Sequence, residues 1–227
     1  MNLNNWKKWS FLVQMIGCAQ FILFTIIGMI FYTGGTYNDP TTPGYSFFEN
    51  FVSDIGRTVS HSGESNFIAF LFFSIAFFIG GVSLVPSFLA FPTFFREDHA
   101  LKGISIIGSI FGIFTAFCFA GITFAPSDIN PAGHIFFVYG GFLSGLVPSI
   151  LYTIIIFLKK EYPSLYAFNF MIFAIILIGY VILLFAGPNN LVIQVTGQKI
   201  VLYSFAICLF IHGYGGWKFE KERINID

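Results

Sequence analysis

Residues 103–125 read GISIIGSIFGIFTAFCFAGITFA, running from Gly103 to Ala125 without one charged side chain. A helix rising about 1.5 Å per residue needs about 20 such residues to cross the hydrocarbon of a bilayer, so this stretch reads as a transmembrane helix. Working outward, five more stretches qualify: Ser10–Tyr32, Asn66–Phe91, His134–Leu158, Ala167–Gly187 and Gln198–Trp217. A transmembrane barrel would show short alternating segments instead, and these continuous apolar runs do not alternate. The expected fold is all-α, a six-transmembrane-helix bundle forming a single domain over residues 1–227.

Composition agrees. Of 227 residues, 56% are hydrophobic and only 10% charged, with a mean hydropathy of +0.80. Soluble domains carry roughly 25% charged residues, so most of this exterior is built to face lipid. Eleven basic and eleven acidic side chains cancel, which leaves no basic field to attract nucleic acid. Cys18, Cys118 and Cys208 all fall inside apolar runs. An odd count in such positions argues for buried thiols rather than a disulfide framework, and no run has zinc-site spacing. No residue pattern calls for a cofactor.

Lys and Arg set the expected orientation. Lys7, Lys8, Arg96, Lys102, Lys159, Lys160, Lys218, Lys221 and Arg223 share one side, against only Arg57 and Lys199 on the other. The positive-inside rule then places both termini in the cytoplasm of a multi-pass cell-membrane protein. Trp6, Trp9 and Trp217 gather at the same cytoplasmic interface, where amphipathic rings anchor helix ends. Met15-Ile16-Gly17-Cys18 faintly resembles a lipoprotein processing site, but the apolar run is too long for a signal-peptide core, and the first span is expected to be retained.

No span carries Asp, Glu, Lys or Arg near its middle. Such residues usually mark ion or proton paths, so a charged pore, a voltage sensor or a proton pump is disfavoured. No mid-span lysine could hold retinal. The phrase Leu84-Val85-Pro86-Ser87 returns as Leu146-Val147-Pro148-Ser149, each after a Gly-Gly pair but at different depths; local packing or kinking accounts for it. Glycine-rich spans such as Gly108–Gly112 can pack within the chain or between copies in a homo-oligomer, or against another membrane partner. The cytoplasmic connections, including the mixed-charge Arg96-Glu97-Asp98-His99, read as solvated turns without the clustered basic residues of a phosphoinositide site.

The first outer loop is different. Residues 33–44 are rich in Gly, Pro, Thr and Asn and read as turns. Ser46-Phe47-Phe48-Glu49 fits a capping box. After it, Phe48, Val52, Ile55 and Val59 recur at helical spacing, with Asn50, Asp54, Arg57 and His61 on the opposite face and Gly63 as a stop. The pattern predicts an amphipathic interfacial helix over about 47–62 that lies across the outer mouth. Its bland reading is a lid in which Asp54 and Arg57 pair with each other.

Further polar residues lie on that face: Glu64, Ser65 and Asn66 before the second span, Asp128, Asn130 and His134 before the fourth, and Gln194, Gln198 and Lys199 at the sixth. Glu64 and Asp128 could serve the dipoles of the helices they precede. The candidate ligand-binding set is therefore Asn50, Ser53, Asp54, Arg57, His61, Glu64, Asn66, Asp128, His134, Gln198 and Lys199. A metal held by His61, His134, Asp54 and Asp128 has suitable ligand types but no paired-histidine spacing, and no metal site is assigned. A serine hydrolase from Ser53 or Ser65 lacks a nucleophile-elbow pattern. An anionic or zwitterionic lipid headgroup held by Arg57, Lys199 and helix N-termini needs the fewest special assumptions.

Asn50-Phe51-Val52-Ser53-Asp54-Ile55-Gly56 resembles the Ser-Asp-x-Gly found in the first outer loop of the damage-regulated autophagy modulators and their fibroblast-receptor-rearrangement relatives. His134 at the start of the fourth span and Gln198-Lys199 at the sixth are similar to that group as well. The chain more closely resembles archaeal and bacterial six-span proteins grouped under a domain of unknown function. The resemblance implies the fold and a connection with membrane lipid, marks Asp54, His134 and Lys199, and implies no catalytic mechanism. The expected activity is therefore non-catalytic binding of a lipid headgroup or other polar ligand at the outer mouth. The alternatives are a lipid-modifying hydrolase using His61 or His134 with Asp54 or Asp128, and a small-solute transporter with helices kinked at Pro86 and Pro148.

Overall fold

A computed structural model describes residues 5–224. Six long helices account for most of it: α1 (Trp6–Ile30), α2 (Phe67–Ala90), α3 (His99–Gly121), α4 (Pro131–Leu158), α5 (Leu165–Ala186) and α6 (Leu191–Ile224). All six are long and apolar enough to cross a membrane, and they make an all-α six-helix membrane bundle. Neighbours in sequence are neighbours in space, and α6 closes the ring by packing along α1. Both described ends of the chain therefore lie at one end of the bundle, called here the termini end; residues 31–66 lie at the loop end.

The core is largely aromatic. Phe11, Phe73, Phe91, Phe95, Tyr152 and Tyr162 are almost fully buried, while many Ile and Phe side chains remain exposed on the outer faces, as a lipid-facing surface requires. Small residues allow close helix approach. At Gly17 an added Cβ would collide with the Ser83 side chain of α2. Gly108 and Gly112 meet Tyr152 and Phe88 within the chain. The three cysteines are free and buried. In the two repeated phrases the serine hydroxyl donates to the leucine carbonyl three residues back, Ser87 to Leu84 at 2.7 Å and Ser149 to Leu146 at 2.8 Å.

Two expectations are corrected. The helix expected over 47–62 does not form; a single 3-10 turn, Val52–Gly56, stands in its place. The reason is competition for the backbone, because short polar side chains capture the amide groups a helix would use. The Asn50 carboxamide oxygen takes the Ser46 N–H (2.9 Å), the Asp54 carboxylate takes the Phe51 N–H (2.9 Å), and Gln198 takes the Val52 N–H (2.8 Å). The Ser46 hydroxyl meets the Glu49 carboxylate directly (3.3 Å) rather than completing a capping box. Gly63, at φ +87°, turns a tight hairpin bridged by Val59 and Ser65 instead of ending a helix.

The second correction concerns α6. It begins at Leu191, seven residues before the expected Gln198, so Gln198 and Lys199 sit about two turns inside it. Its 34 residues span about 51 Å at 1.5 Å each, well beyond the hydrocarbon. Hydropathy alone misses the added turns because they carry Gln194, Thr196 and Gly197 and follow Asn189 and Asn190. Their polar groups are satisfied locally; Gln194, for example, donates to the Leu183 carbonyl of α5 at 3.1 Å.

Candidate functional site

Residues 31–66 fold into a compact plug on the loop end. Its two halves close on each other at Gly35, where φ is +80° and an added Cβ would collide with the backbone of His61 and Ser62, so only glycine fits. Tyr32 pins the same contact, its hydroxyl donating to the Gly35 carbonyl (3.3 Å) and accepting the His61 N–H (3.2 Å). Burial pushes the Tyr32 phenol up to about 12, so it stays a donor across the physiological range.

Three of the four residues expected on one helical face meet even though the helix is absent. Fully buried Asn50 donates to Asp54 (3.2 Å) and to the Gly35 carbonyl (2.9 Å). Asp54, also buried, contacts the His61 ring at Nε2 (3.2 Å). Arg57 stands apart, its Nε donating to the Val59 carbonyl (3.0 Å), and the Asp54–Arg57 pair of the bland reading is not made.

Three anchors tie the plug to the bundle. Gln198 binds the Val52 N–H from α6. Lys199, 3% exposed, donates to the Asn50 carbonyl and lies 5.3 Å from the Tyr45 ring centre and 5.0 Å from that of Phe47. Asp128, before α4, accepts the Thr58 and Val59 N–H groups (3.1 and 3.0 Å) and the Thr58 hydroxyl (2.7 Å). Burial raises the Asp128 carboxyl, but these donors outweigh it and hold it below the usual carboxylate range. Asp128 thus serves the plug rather than the α4 dipole; Asn130 caps α4 by accepting the Gly133 N–H (3.0 Å). Asn66 donates to the Ile55 and Arg57 carbonyls (3.0 and 2.9 Å). Glu64 is exposed on the hairpin.

Beneath the 3-10 turn lies a cavity of about 10 Å³, lined by Ser53, His134 and Gln198 above and by Phe73, Phe77, Phe119, Phe142 and Leu202 below. That volume suits one water. His134 Nδ1 faces the Ala125 carbonyl at 3.0 Å. A carbonyl only accepts, so Nδ1 carries the proton and a neutral ring keeps its lone pair on Nε2. Neither that nitrogen nor the Ser53 hydroxyl has a hydrogen-bond partner among the described residues. A second, separate cavity of about 30 Å³ lies deeper in the bundle, shares Phe77, Phe119 and Leu202 with the first as lining, and is walled by Gly17, Gly80 and Gly81. Among the described residues no three His, Cys, Asp or Glu side chains are grouped as metal ligands.

The sequence reading passed over a second buried polar group, toward the termini end. Gln14 of α1 donates to the Leu209 carbonyl and meets His212 Nδ1 at 3.2 Å. The His212 ring is fully buried among Phe11, Phe91, Tyr152 and Phe170, with centroids 4.7 to 5.9 Å away. Its Nε2 and the Gln14 carbonyl oxygen have no partner among the described residues. A search for charges alone skips this pair; lone polar residues inside apolar runs were the available signal. Comparison of the chain with protein-family models, with curated proteins and with solved structures finds no match.

Proposed function

We propose that this is a multi-pass protein of the cell membrane, with both termini cytoplasmic, that binds a lipid through its polar group beneath the loop-end plug without catalysing a reaction. Nine basic side chains at the termini end against two at the loop end support that orientation. The observation that carries the binding reading is a pair of adjoining cavities that share Phe77, Phe119 and Leu202 as walls. Ser53, His134 and Gln198 border the one nearer the plug, and the other is lined by apolar side chains and glycines. Polar residues bordering one end of an apolar space suit an amphiphile. Both spaces are small, so a bound lipid widens them, and the plug, held by single side-chain anchors, is the part that yields.

The loop end carries five carboxylates, Asp39, Glu49, Asp54, Glu64 and Asp128, against Arg57 and Lys199. That balance repels an anionic headgroup, and the reading narrows to a neutral or zwitterionic lipid presenting a hydroxyl or carbonyl. Native mass spectrometry of the protein released from nanodiscs of mixed lipid tests it. Wild type retains a neutral or zwitterionic lipid, and His134→Phe, which fills the cavity, loses it while remaining helical by circular dichroism. Equal retention by both proteins would end the proposal.

One observation favours a second reading. Ser53 and His134 line the same cavity, and the Nε2 lone pair of His134 has the character of a general base, so an acyl-transfer enzyme is the rival. A fluorophosphonate probe that labels wild type but not Ser53→Ala supports the rival, and absence of labelling removes it.

A further inference from the structure

The termini end holds a much larger recess than either buried cavity. A cleft of about 360 Å³ opens between the segment joining α2 to α3, the end of α4 and the end of α6. Arg96, Lys159 and Arg223 come to it from those three segments and outnumber the two carboxylates that also line it, Glu97 and Glu161, while Phe94 and Phe219, their rings tilted at 58° with centres 4.9 Å apart, add apolar surface. In sequence these cations lie far apart, Arg96 and Lys159 in connecting turns and Arg223 near the C-terminal end. The fold gathers them.

Their charges are incompletely spent. Lys159 pairs with Glu161 at 3.2 Å, but Glu161 is exposed, and such a pair is worth little and exchanges readily. Arg223 stands 3.9 Å from Glu220, whose other oxygen is 3.6 Å from buried Lys7, so Arg223 shares that carboxylate with another cation. Arg96 has no ion-pair partner among the described residues. The whole end carries nine cations against five carboxylates among the described residues, the reverse of the loop end.

We propose that this cleft binds a phosphate-bearing anion, with Arg96 and Arg223 as forked donors and Lys159 as a point charge released from Glu161. The shared chemistry is a phosphate oxyanion, presented either by an anionic lipid whose chains lie along the Phe94 and Phe219 side, or by a soluble phosphate. It needs no contribution from the loop-end cavity, and His134→Phe leaves it unchanged.

The full chain in nanodiscs separates the sources. One set contains phosphatidylcholine alone, with inorganic phosphate titrated in; the other contains about one tenth phosphatidic acid by design, with bound lipid counted by native mass spectrometry. Expected is selective retention of phosphatidic acid, or saturable phosphate binding in the neutral discs, reduced roughly tenfold by Arg96→Gln and by Lys159→Gln and restored by Lys159→Arg. Lys102→Gln, a basic residue of the same end that does not line the cleft, leaves it intact. Circular dichroism confirms that each variant remains helical. Failure of both ligands to bind, or an equal loss in Lys102→Gln, which would mean diffuse charge attraction, overturns the proposal.

Discussion

The Lys199 ammonium of α6 donates to the main-chain carbonyl of Asn50, 149 positions earlier in the chain, and the same carbonyl accepts the Tyr45 hydroxyl at 2.9 Å. A buried cation is costly unless its donors are used. Here one carbonyl and two aromatic faces hold it, and Asn50 in turn touches Asp54. Lys199→Met keeps the volume and removes the pin. Since hydrogen bonds from charged groups contribute about 1.5–3 kcal/mol and the desolvation of the ammonium is relieved at the same time, the net loss is about 1–2 kcal/mol. Limited proteolysis within residues 31–66 should quicken while the transmembrane core stays protected; unchanged cleavage would show that Lys199 does not hold the plug.

Asp128 is the plug's anchor to the α4 side. In Asp128→Ala the Thr58 and Val59 N–H groups lose their acceptor but lie near water, so the cost is about 1–2 kcal/mol. A double-mutant cycle with Thr58→Val should be non-additive, because both changes remove the same hydroxyl–carboxylate bond. Strict additivity in thermal midpoints would disprove the contact.

The same carboxyl sets a pH dependence. Its folded-state value lies below the ordinary carboxylate range, so its contribution is complete above the unfolded value, about 3.9, and fades as pH falls through the folded value. Hydrogen exchange at Thr58 and Val59 should therefore accelerate below about pH 4 in wild type. In Asp128→Asn the acid dependence should flatten; persistence of the full effect would assign it to another group.

Gly17 of α1 faces Ser83 of α2 with no room for a Cβ between them. Gly17→Ala forces the two helices apart and should cost about 1–3 kcal/mol, with partial recovery on adding Ser83→Gly. Thermal midpoints of the single and double variants decide it, and a neutral Gly17→Ala would mean the helices are less closely packed.

Gln14 and His212 should behave as a unit. Replacing one strands the other's buried groups, whereas replacing both with apolar residues removes the unmet demand. Gln14→Leu alone should destabilise more than Gln14→Leu combined with His212→Phe. If the double variant is the worse of the two, the pair is a net stabiliser.

The long apolar runs made six helices legible because nothing competes with that pattern: an uncharged stretch such as Gly103–Ala125 has no better option than to span. The plug was not legible. Val52, Ile55 and Val59 keep helical spacing, yet the structure buries Val52 and Ile55 through a 3-10 turn and leaves Val59 exposed on a hairpin. Besides the local captures by Asn50 and Asp54, the outcome was decided by Asp128 and Gln198, roughly 70 and 145 positions away, and local periodicity carries no such information. Of the four residues grouped by spacing, Asn50, Asp54 and His61 still meet while Arg57 turns away, since spacings of four and seven keep residues close in several compact backbones. The termini-end cleft escaped notice because its cations are single residues on three separate segments.

Helix α6 is fastened twice. Near one end Gln198 and Lys199 hold the plug; near the other Glu220 sits against Lys7. Sliding α6 by one turn, about 5.4 Å, would break both fastenings together. Separated by about 30 Å of continuous helix, they make it a strut rather than a piston. Motion at the loop end must then come from the plug lifting off a stationary rod, and the two faces of the membrane are linked by rigidity instead of by travel.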